Sequence, residues 1–452
     1  MTTHEVDVVV IGTGPGGEHA AGRLAREGLD VVAVERHLVG GECPYYGCIP
    51  TKSMVRAASA LAEAGRVAQL AGTADVISDW GVLARHIAQD VTSDWDDAVA
   101  VERLERAGAG VVRGAARLDG PGRVTVGADV FTARRGVIAD PGTSPARLPI
   151  DGLDDVGYRT NRDIVRMTTL PTSLVVIGGG PIGCELAQAI ARFGTRVSVL
   201  EAGTHLLGPE EPESGALLAD VFDREGIEVR TGARIERVER RDGAVVVTLA
   251  DGEVHGAEIL LAAGRSPNLD DLGLQTVGVP TGGIVAVDDR MRAADGLWVI
   301  GDVTGNGAFT HVSMYQADIA VADVLTPGEG PTADYRAVGR VTFTDPEIGS
   351  VGLTEAAARE RGLDVRTAST PLADSSRGFI HGPGNDGFIK LVADGDLLVG
   401  ATSAGPWGGE VLSMLTLAVH ARVPLAELAG MHYAYPTFHR AVLTAVQELT
   451  ST

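Results

Sequence analysis

Two cysteines stand close together in Cys43-Pro-Tyr-Tyr-Gly-Cys48, and a lysine and an apolar, helix-forming run follow them. A disulfide needs Cα atoms about 4.4–6.8 Å apart, which a loop that leads into the first turn of a helix can provide. Cys48 would then lie at a helix N-terminus, where the helix dipole stabilises a thiolate and lowers the pKa of a thiol. The spacing fits a redox-active disulfide, and two buried reduced thiols are the alternative.

A metal site is the other chemistry that a cysteine pair can serve. A structural zinc ion needs about four ligands. The one further cysteine, Cys184, lies inside a glycine-rich turn, with no pair of histidines at metal-binding spacing nearby. We therefore predict no metal site.

The residues from Val6 to Arg36 read as strand, glycine turn, helix and second strand. Gly12, Gly14 and Gly17 give GxGxxG at the first junction, where a pyrophosphate can approach the amide groups of a helix N-terminus. Glu35 ends the second strand, in position to accept hydrogen bonds from a ribose. Strand, turn, helix and terminal acid together predict a dinucleotide site.

The same pattern returns further along the chain, with Gly178, Gly180 and Gly183 in the turn and Glu201 at the end of the second strand. Two such patterns predict two dinucleotides and hence electron transfer between them. An acid at this place suits an unmodified ribose, and no arginine follows it closely. We expect NADH rather than NADPH.

Later segments predict further strand ends and a separate C-terminal domain. Gly264 lies in the polar turn that follows one apolar strand, and Asp302 follows another, where it can hold a hydroxyl of a cofactor or cap a turn. From about Tyr335, period-two alternation predicts an antiparallel sheet, followed by helical runs near residues 412–421 and 437–448. The acidic run at residues 210–213 is interpreted as a solvated loop.

Composition and charge limit the class of protein. The chain has 452 residues, 44% hydrophobic residues and 60 glycines, which predicts an α/β protein of several domains. A net charge of −22 disfavours nucleic acid and anionic membranes as partners. The N-terminal sequence lacks the basic region of a secretion signal, and no apolar run approaches the roughly 20 residues that span a bilayer, so we expect a cytoplasmic protein.

These motifs, in this order, resemble the flavoprotein disulfide reductases, the family of lipoamide dehydrogenase, glutathione reductase and mycothione reductase. The resemblance covers essentially the whole chain. Its most specific part is the block Cys43-x4-Cys48 with Ile-Pro-Thr-Lys52, and it continues through Gly264-Arg265-x-Pro-Asn and Gly301-Asp302.

The resemblance implies an α/β fold with two Rossmann-like dinucleotide-binding domains and an α+β C-terminal dimerisation domain. Residues 1–149 and 266–332 would bind FAD, residues 150–265 would bind NAD(P)H, and residues 333–452 would form the interface of a homodimer. FAD would be held by the first glycine turn together with Glu35 and Asp302.

The resemblance also implies the roles of four further residues. Cys48 matches the thiol that faces the flavin, and Cys43 matches the outward thiol that attacks a substrate. Lys52 and Glu185 match a pair beside the flavin ring, where a cation stabilises the negative charge that develops on reduction.

The chain departs from the family pattern near its C-terminus. In most of these reductases a histidine and a glutamate form an acid–base pair for the substrate thiol, but Tyr435 and Arg440 stand in their places. A phenol donates a proton but hardly accepts one, and loss of a general acid–base costs on the order of 10²- to 10⁴-fold. His432 and His439 lie nearby and could substitute, although each also reads as an ordinary surface or interface histidine.

The sequence therefore predicts an FAD-dependent NAD(P)H oxidoreductase that passes electrons through Cys43–Cys48 to a thiol-linked or other small acceptor. One alternative is a diaphorase-like, quinone-reducing flavoenzyme in which the disulfide is peripheral. Another is an atypical relative of 2-oxopropyl-coenzyme M oxidoreductase/carboxylase, and a non-enzymatic alternative is a redox-sensing flavoprotein subunit.

Overall fold

The computed structural model describes residues 2–451. The chain forms two compact units, each assembled from three separate stretches. The first unit comprises residues 2–50, 85–147 and 265–334, and the second comprises residues 51–84, 148–264 and 335–451. The finer boundaries that the sequence predicts for three domains remain a prediction.

A largely parallel sheet forms the framework of the first unit. The order of its main strands is Arg292–Ala294, Leu297–Val299, Asp129–Ala139, Thr2–Ile11, Val31–Glu35 and Gly110–Arg113. Only the first pair in this order is antiparallel. The strands Ala116–Leu118 and Arg123–Val126 form a hairpin that extends the sheet from Asp129–Ala139, and Thr143–Pro145 pairs separately with Arg265–Pro267.

The central strand of this sheet is apolar on both faces. Val8 and Val10 belong to one hydrophobic core, whereas Val9 and Ile11 belong to another. A continuous apolar run of this kind is typical of a parallel strand that is covered on both sides. The helices and helical turns of this unit are Pro15–Arg26, Glu42–Tyr45, Ile87–Val91, Ser93–Trp95, Ala98–Arg106, Leu274–Val277, Asp302–Thr304 and Thr310–Leu325. Two further helices, Cys48–Leu70 and Trp80–His86, contain residues of both units.

The second unit contains a four-stranded parallel sheet in the order Glu228–Arg230, Arg196–Leu200, Ser173–Ile177 and Glu258–Leu261. A three-stranded antiparallel sheet, formed by Ile235–Arg241, Ala244–Leu249 and Gly252–Gly256, shares one hydrophobic core with it. The helices of this part are Leu153–Val156, Asn161–Ile164, Pro181–Arg192 and Pro212–Arg224.

The C-terminal part of the second unit has the antiparallel sheet that the alternation predicts. Its strand order is Gly339–Thr342, Glu347–Gly352, Leu397–Gly405, Phe388–Asp394 and Val365–Pro371. The helices are Glu355–Glu360, Ser376–His381, Gly408–His420, Leu425–Gly430 and His439–Ser451, so both predicted helical runs are present. The predicted α/β class with an α+β C-terminal part is confirmed.

The interpretation of residues 210–213 as a solvated loop is wrong. Glu210 accepts two hydrogen bonds from Arg340, at 2.7 and 2.8 Å. Glu211 is buried and lies 2.9 Å from the ammonium group of Lys390, which also contacts Glu213 at 2.6 Å. Burial acts to lower the pKa of Lys390, but the carboxylates that accept its hydrogen bonds outweigh burial and raise that pKa. The local charge run did not reveal a partner that is distant in the sequence.

We expect Lys390→Met to lower the free energy of unfolding by about 3–5 kcal/mol, because it leaves the buried charge of Glu211 without its partner. Urea unfolding measures the loss. The matched control is Glu213→Gln, which removes an exposed partner and should cost less than about 1 kcal/mol. A loss in Lys390→Met no larger than that of the control would contradict the assigned role of this ion pair.

Candidate active site

The first glycine turn joins the strand Thr2–Ile11 to the helix Pro15–Arg26. Gly12 has a φ of +84°, and a side chain there would collide with the carbonyl oxygen of Asp140. A side chain at Gly17 would collide with the carbonyl oxygen of Gly12. Only glycine fits at both positions. No side chain of these residues then covers the backbone amides, which stay open to a ligand at the helix N-terminus.

The acid that ends the second strand is fixed on this turn. Glu35 accepts hydrogen bonds from the backbone N–H and the hydroxyl of Thr13, at 2.8 and 2.9 Å, and from the backbone N–H of His37 at 2.8 Å. Asp302, which follows Gly301, accepts the hydroxyl of Thr143 at 2.7 Å. The open turn and the two carboxylates fit a dinucleotide with hydroxyl-bearing sugars.

The second glycine turn repeats this construction between the strand Ser173–Ile177 and the helix Pro181–Arg192. Side chains at Gly178 and Gly183 would again collide with backbone carbonyl groups. Glu201 accepts the backbone N–H groups of Gly179 and Gly203, both at 2.6 Å. The second carboxylate is therefore held by the same kind of contacts as the first.

Two other glycines of the predicted site have different surroundings. Gly180 has open space where a side chain would be, so nothing nearby excludes one sterically. Gly264 also has open space, but its φ of +109° disfavours any other residue. Close contacts thus require glycine at Gly178 and Gly183, and backbone conformation favours it at Gly264, which lies outside the second turn.

The cysteine segment is seated on the first glycine turn. The backbone N–H of Gly40 donates to the carbonyl of Thr13 at 2.8 Å. Gly41 has a φ of +69°, and a side chain there would come within 2.8 Å of the Cα atom of Gly14. These contacts bring the residues just before Cys43 against the turn that would hold a cofactor.

Cys43 lies in the short helix Glu42–Tyr45, and Cys48 is the first residue of the helix Cys48–Leu70, as the sequence predicts. Both carry thiol groups in the structure. A hydrogen bond with Cys48 is the largest cause that raises the pKa of the Cys43 thiol, and burial raises it further. The hydroxyl of Thr310 lies 3.4 Å from the sulfur of Cys48. The two thiols therefore interact directly, and the pKa of Cys43 is raised by this contact and by burial.

Lys52 and Glu185 form an ion pair in the second unit, with 2.6 Å between Nζ and Oε2. The side chain of Glu185 is 4% exposed, and its other oxygen accepts the backbone N–H of Phe343 at 2.9 Å. The ammonium group of Lys52 also lies 4.9 Å from the centre of the Phe343 ring. Glu185 and Phe343 therefore fix the position of this cation.

Tyr435 is 71% exposed, and its hydroxyl donates to the hydroxyl of Ser376 at 3.2 Å. The guanidinium group of Arg440 lies 5.8 Å from the centre of the Tyr435 ring. His432 is exposed, and His439 begins the last helix. The phenol thus occupies a hydrogen-bonded position within the C-terminal part of the second unit.

Sequence reasoning missed several contacts of the site. Thr310 and Phe343 lie far along the chain from the residues they touch, and no motif marks them. Arg265 belongs to a recognised motif, but its bonds to the hydroxyl and the carbonyl of Thr143, at 2.6 and 2.7 Å, depend on strand pairing. Asp140, whose carboxyl accepts the backbone N–H of Gly17 at 2.8 Å, carried no signal at all.

Within residues 2–451, no three His, Cys, Asp or Glu side chains are grouped so that they could hold a metal ion. No helix in the same part of the chain is both long and apolar enough to cross a membrane. Glu35, Asp302 and Glu201 accept hydrogen bonds from backbone amides and hydroxyl groups.

Comparisons with known proteins agree with this geometry. The family model described as pyridine nucleotide-disulphide oxidoreductase matches residues 6–320, and the model of its dimerisation domain matches residues 338–446. The dihydrolipoyl dehydrogenase of Bacillus subtilis is 33% identical and the mercuric reductase of Streptomyces lividans is 35% identical, each over 98% of this chain and 96% of the relative.

Two solved structures share the fold along nearly their whole length. LpdA from Mycobacterium tuberculosis is 26% identical, with a TM-score of 0.86 over 99% of this chain and 100% of that chain. RclA, a HOCl-induced flavoprotein disulfide reductase from Escherichia coli, is 25% identical, with a TM-score of 0.85 over 98% of this chain and 99% of that chain. Because the family model spans more than half of the chain and the relatives align along nearly all of it, this chain belongs to the pyridine nucleotide-disulphide oxidoreductases, enzymes that bind FAD and use a pyridine nucleotide as substrate.

Proposed function

We propose that this enzyme oxidises NADH and passes the electrons, through FAD and the Cys43–Cys48 pair, to a small acceptor. The observation that carries the proposal is the seating of the cysteine segment on the first glycine turn, through the hydrogen bond from Gly40 to Thr13. This contact supports a short path between a bound cofactor and the two sulfur atoms.

FAD would be held by the first glycine turn, with Glu35 and Asp302 as acceptors for its hydroxyl groups. Bound FAD supplies the chemistry of accepting a hydride from NADH and releasing an electron pair. The overall exchange balances: NADH, one proton and the Cys43–Cys48 disulfide give NAD⁺ and two thiols. Oxidation of the two thiols by the acceptor restores the disulfide and releases two protons with the electron pair.

The two thiols have different roles in the proposal. The hydrogen bond with Cys48 and burial raise the pKa of Cys43. Cys48 would carry the thiolate, because it is the first residue of the helix Cys48–Leu70 and a helix N-terminus stabilises a thiolate. Cys43 must lose its proton before it can attack a disulfide, since the thiolate is the nucleophile.

Lys52 would supply a fixed positive charge to the site. Its ammonium group is held by Glu185 at 2.6 Å, and the backbone N–H of Phe343 holds the other oxygen of Glu185. A charge that is fixed before the reaction stabilises developing negative charge without the cost of reorganisation.

A second candidate acceptor is a quinone, favoured by the surroundings of Tyr435. A Cys43 thiol with a raised pKa needs a base before thiol–disulfide exchange, and a phenol that donates to Ser376 beside the cation of Arg440 is a poor base. A quinone accepts electrons without attack by a thiolate on sulfur. The Tyr435 site thus supports acceptors other than a disulfide.

The C-terminal part of the second unit matches the family's dimerisation domain. We propose that the enzyme forms a homodimer through it. The cytoplasmic location stays a prediction from the sequence.

We expect Cys48→Ser to retain FAD but to lose the long-wavelength absorbance that a thiolate beside an oxidised flavin gives on reduction. The measurement is an anaerobic NADH titration followed by visible spectroscopy. Cys184→Ser is the matched control, because this buried thiol donates only to the carbonyl of Gly179 at 3.2 Å, and it should keep the band. Persistence of the band in Cys48→Ser would assign the thiolate to another group.

We expect Glu201→Ala to raise the KM for NADH about 10- to 100-fold, the effect of losing hydrogen bonds to a charged group. The change should weaken NADPH binding less, because a 2′-phosphate is repelled by this carboxylate. Steady-state kinetics with both nucleotides give the ratio of their kcat/KM values. Glu228→Ala, at an exposed acid of the same sheet, should leave this ratio unchanged. An unaltered ratio in Glu201→Ala would exclude the carboxylate as the ribose contact.

We expect the double variant Tyr435→His/Arg440→Glu to raise the rate of NADH-dependent reduction of lipoamide or a simple disulfide. The gain should be at least about tenfold and at most about 10⁴-fold, the upper limit of general acid–base catalysis. Arg440→Glu alone is the control and should give little gain, since it supplies no base. If the double variant behaves like the control, the absent acid–base pair does not limit the reaction with disulfides.

A further inference from the structure

A buried carboxyl group lies inside the first glycine turn. Asp140 follows the strand Asp129–Ala139 directly and is 6% exposed. Its Oδ2 atom accepts the backbone N–H of Gly17 at 2.8 Å and lies 3.3 Å from the position that a Cβ atom of Gly14 would take. The carboxyl therefore lies at the helix N-terminus, on the turn that a pyrophosphate approaches.

The second glycine turn shows that the fold does not require this carboxyl. Ala262 holds the equivalent place there: its backbone N–H donates to Ile177 at 2.8 Å, as that of Asp140 donates to Ile11 at 2.8 Å. The carbonyl groups of Ala262 and Asp140 likewise exclude a side chain at the first glycine of their respective turns. The backbone at this place is structural in both turns, whereas only the first turn carries an acid.

The groups that face Asp140 disfavour its ionised form. Burial raises the pKa of Asp140 to about 7; the Gly17 N–H opposes the rise, and the negative charges of Asp302 and Glu35 add to it. Ser313 faces the carboxyl from the helix Thr310–Leu325 and favours the ionised form.

The two neighbouring acids are compensated differently from Asp140. Glu35 accepts three hydrogen bonds from Thr13 and His37. Asp302 accepts the hydroxyl of Thr143, which in turn accepts the guanidinium group of Arg265. A bound pyrophosphate would therefore repel a negative charge on Asp140 more strongly than the charges of Glu35 and Asp302.

We propose that Asp140 takes up a proton when FAD binds above neutral pH, so that the enzyme holds the cofactor less tightly as the pH rises. The inference rests on FAD binding by the first glycine turn, as in the proposed function. It adds a specific residue that couples cofactor retention to pH.

The sign of the pH dependence follows from linkage. Without FAD, Asp140 loses its proton near pH 7. A bound pyrophosphate makes the ionised form more costly, so the pKa of Asp140 is higher in the complex. Affinity is therefore independent of pH below the pKa of the free protein, and above it affinity falls by up to about tenfold per pH unit until the pKa of the complex is reached.

The test is the dissociation constant of FAD, measured by flavin fluorescence on the full chain stripped of cofactor. Between about pH 6.5 and pH 8.5 we expect the dissociation constant of the wild-type protein to rise about tenfold or more. Asp140→Asn keeps the shape of the side chain, and Asp140→Ala copies Ala262; both should bind FAD with little pH dependence. Asp318→Asn, at a partly exposed acid on the helix Thr310–Leu325, is the matched control and should keep the wild-type slope.

A second measurement does not require any variant to fold. Calorimetric titration of the wild-type protein with FAD, in buffers of different ionisation enthalpy at about pH 8, should show uptake of up to about one proton per FAD. FAD binding with no proton uptake, or an Asp140→Asn variant with the wild-type slope, would overturn this inference alone. Failure of the wild-type protein to bind FAD at any pH would overturn the proposed function as well.

Discussion

The site depends on the close approach of a glycine turn to the strand beside it. At Gly12 and at Gly178, the position of a Cβ atom is taken by a carbonyl group of the neighbouring strand end. This contact lets the first strand, the turn and the helix N-terminus pack without a gap, so that backbone amides face the place of a phosphate. Any larger residue would push the turn away from the sheet and would displace the acid that is hydrogen-bonded to it.

Each unit contains a glycine turn of this kind, and the two turns position different side chains. In the first unit, Glu35 is bonded to the turn and the cysteine segment packs against it through Gly40 and Gly41. In the second unit, Glu201 is bonded to the turn, and the helix that follows carries Glu185, which holds Lys52. The same backbone motif thus orients an acid in both units, and it also positions the cysteine segment in the first unit and Glu185 in the second.

The electrostatic environments of three side chains distinguish this chain. The pKa of Cys43 is raised by Cys48 and by burial, and Tyr435 stands where the resemblance to the disulfide reductases implies a histidine. A thiol with a raised pKa and a weak base would be poorly matched to thiol–disulfide exchange, whereas neither would hinder an acceptor that takes electrons directly. Asp140 adds a third unusual group, because it places a buried carboxyl at the helix N-terminus of the first glycine turn.

The sequence by itself determined the α/β class, both glycine turns with their acids, the cysteine pair at the start of a helix and the replacement at Tyr435. These features are local: a glycine turn between a strand and a helix, or a short motif, contains its own physical reason within a few dozen residues. Only the tertiary structure decided which distant groups meet. It paired Glu211 with Lys390, placed Phe343 on Glu185 and put the carboxyl of Asp140 inside the first turn. Burial and long-range hydrogen bonds set the charge of such groups, and neither can be read from neighbours along the chain, because the elements that supply them come together only in the folded protein.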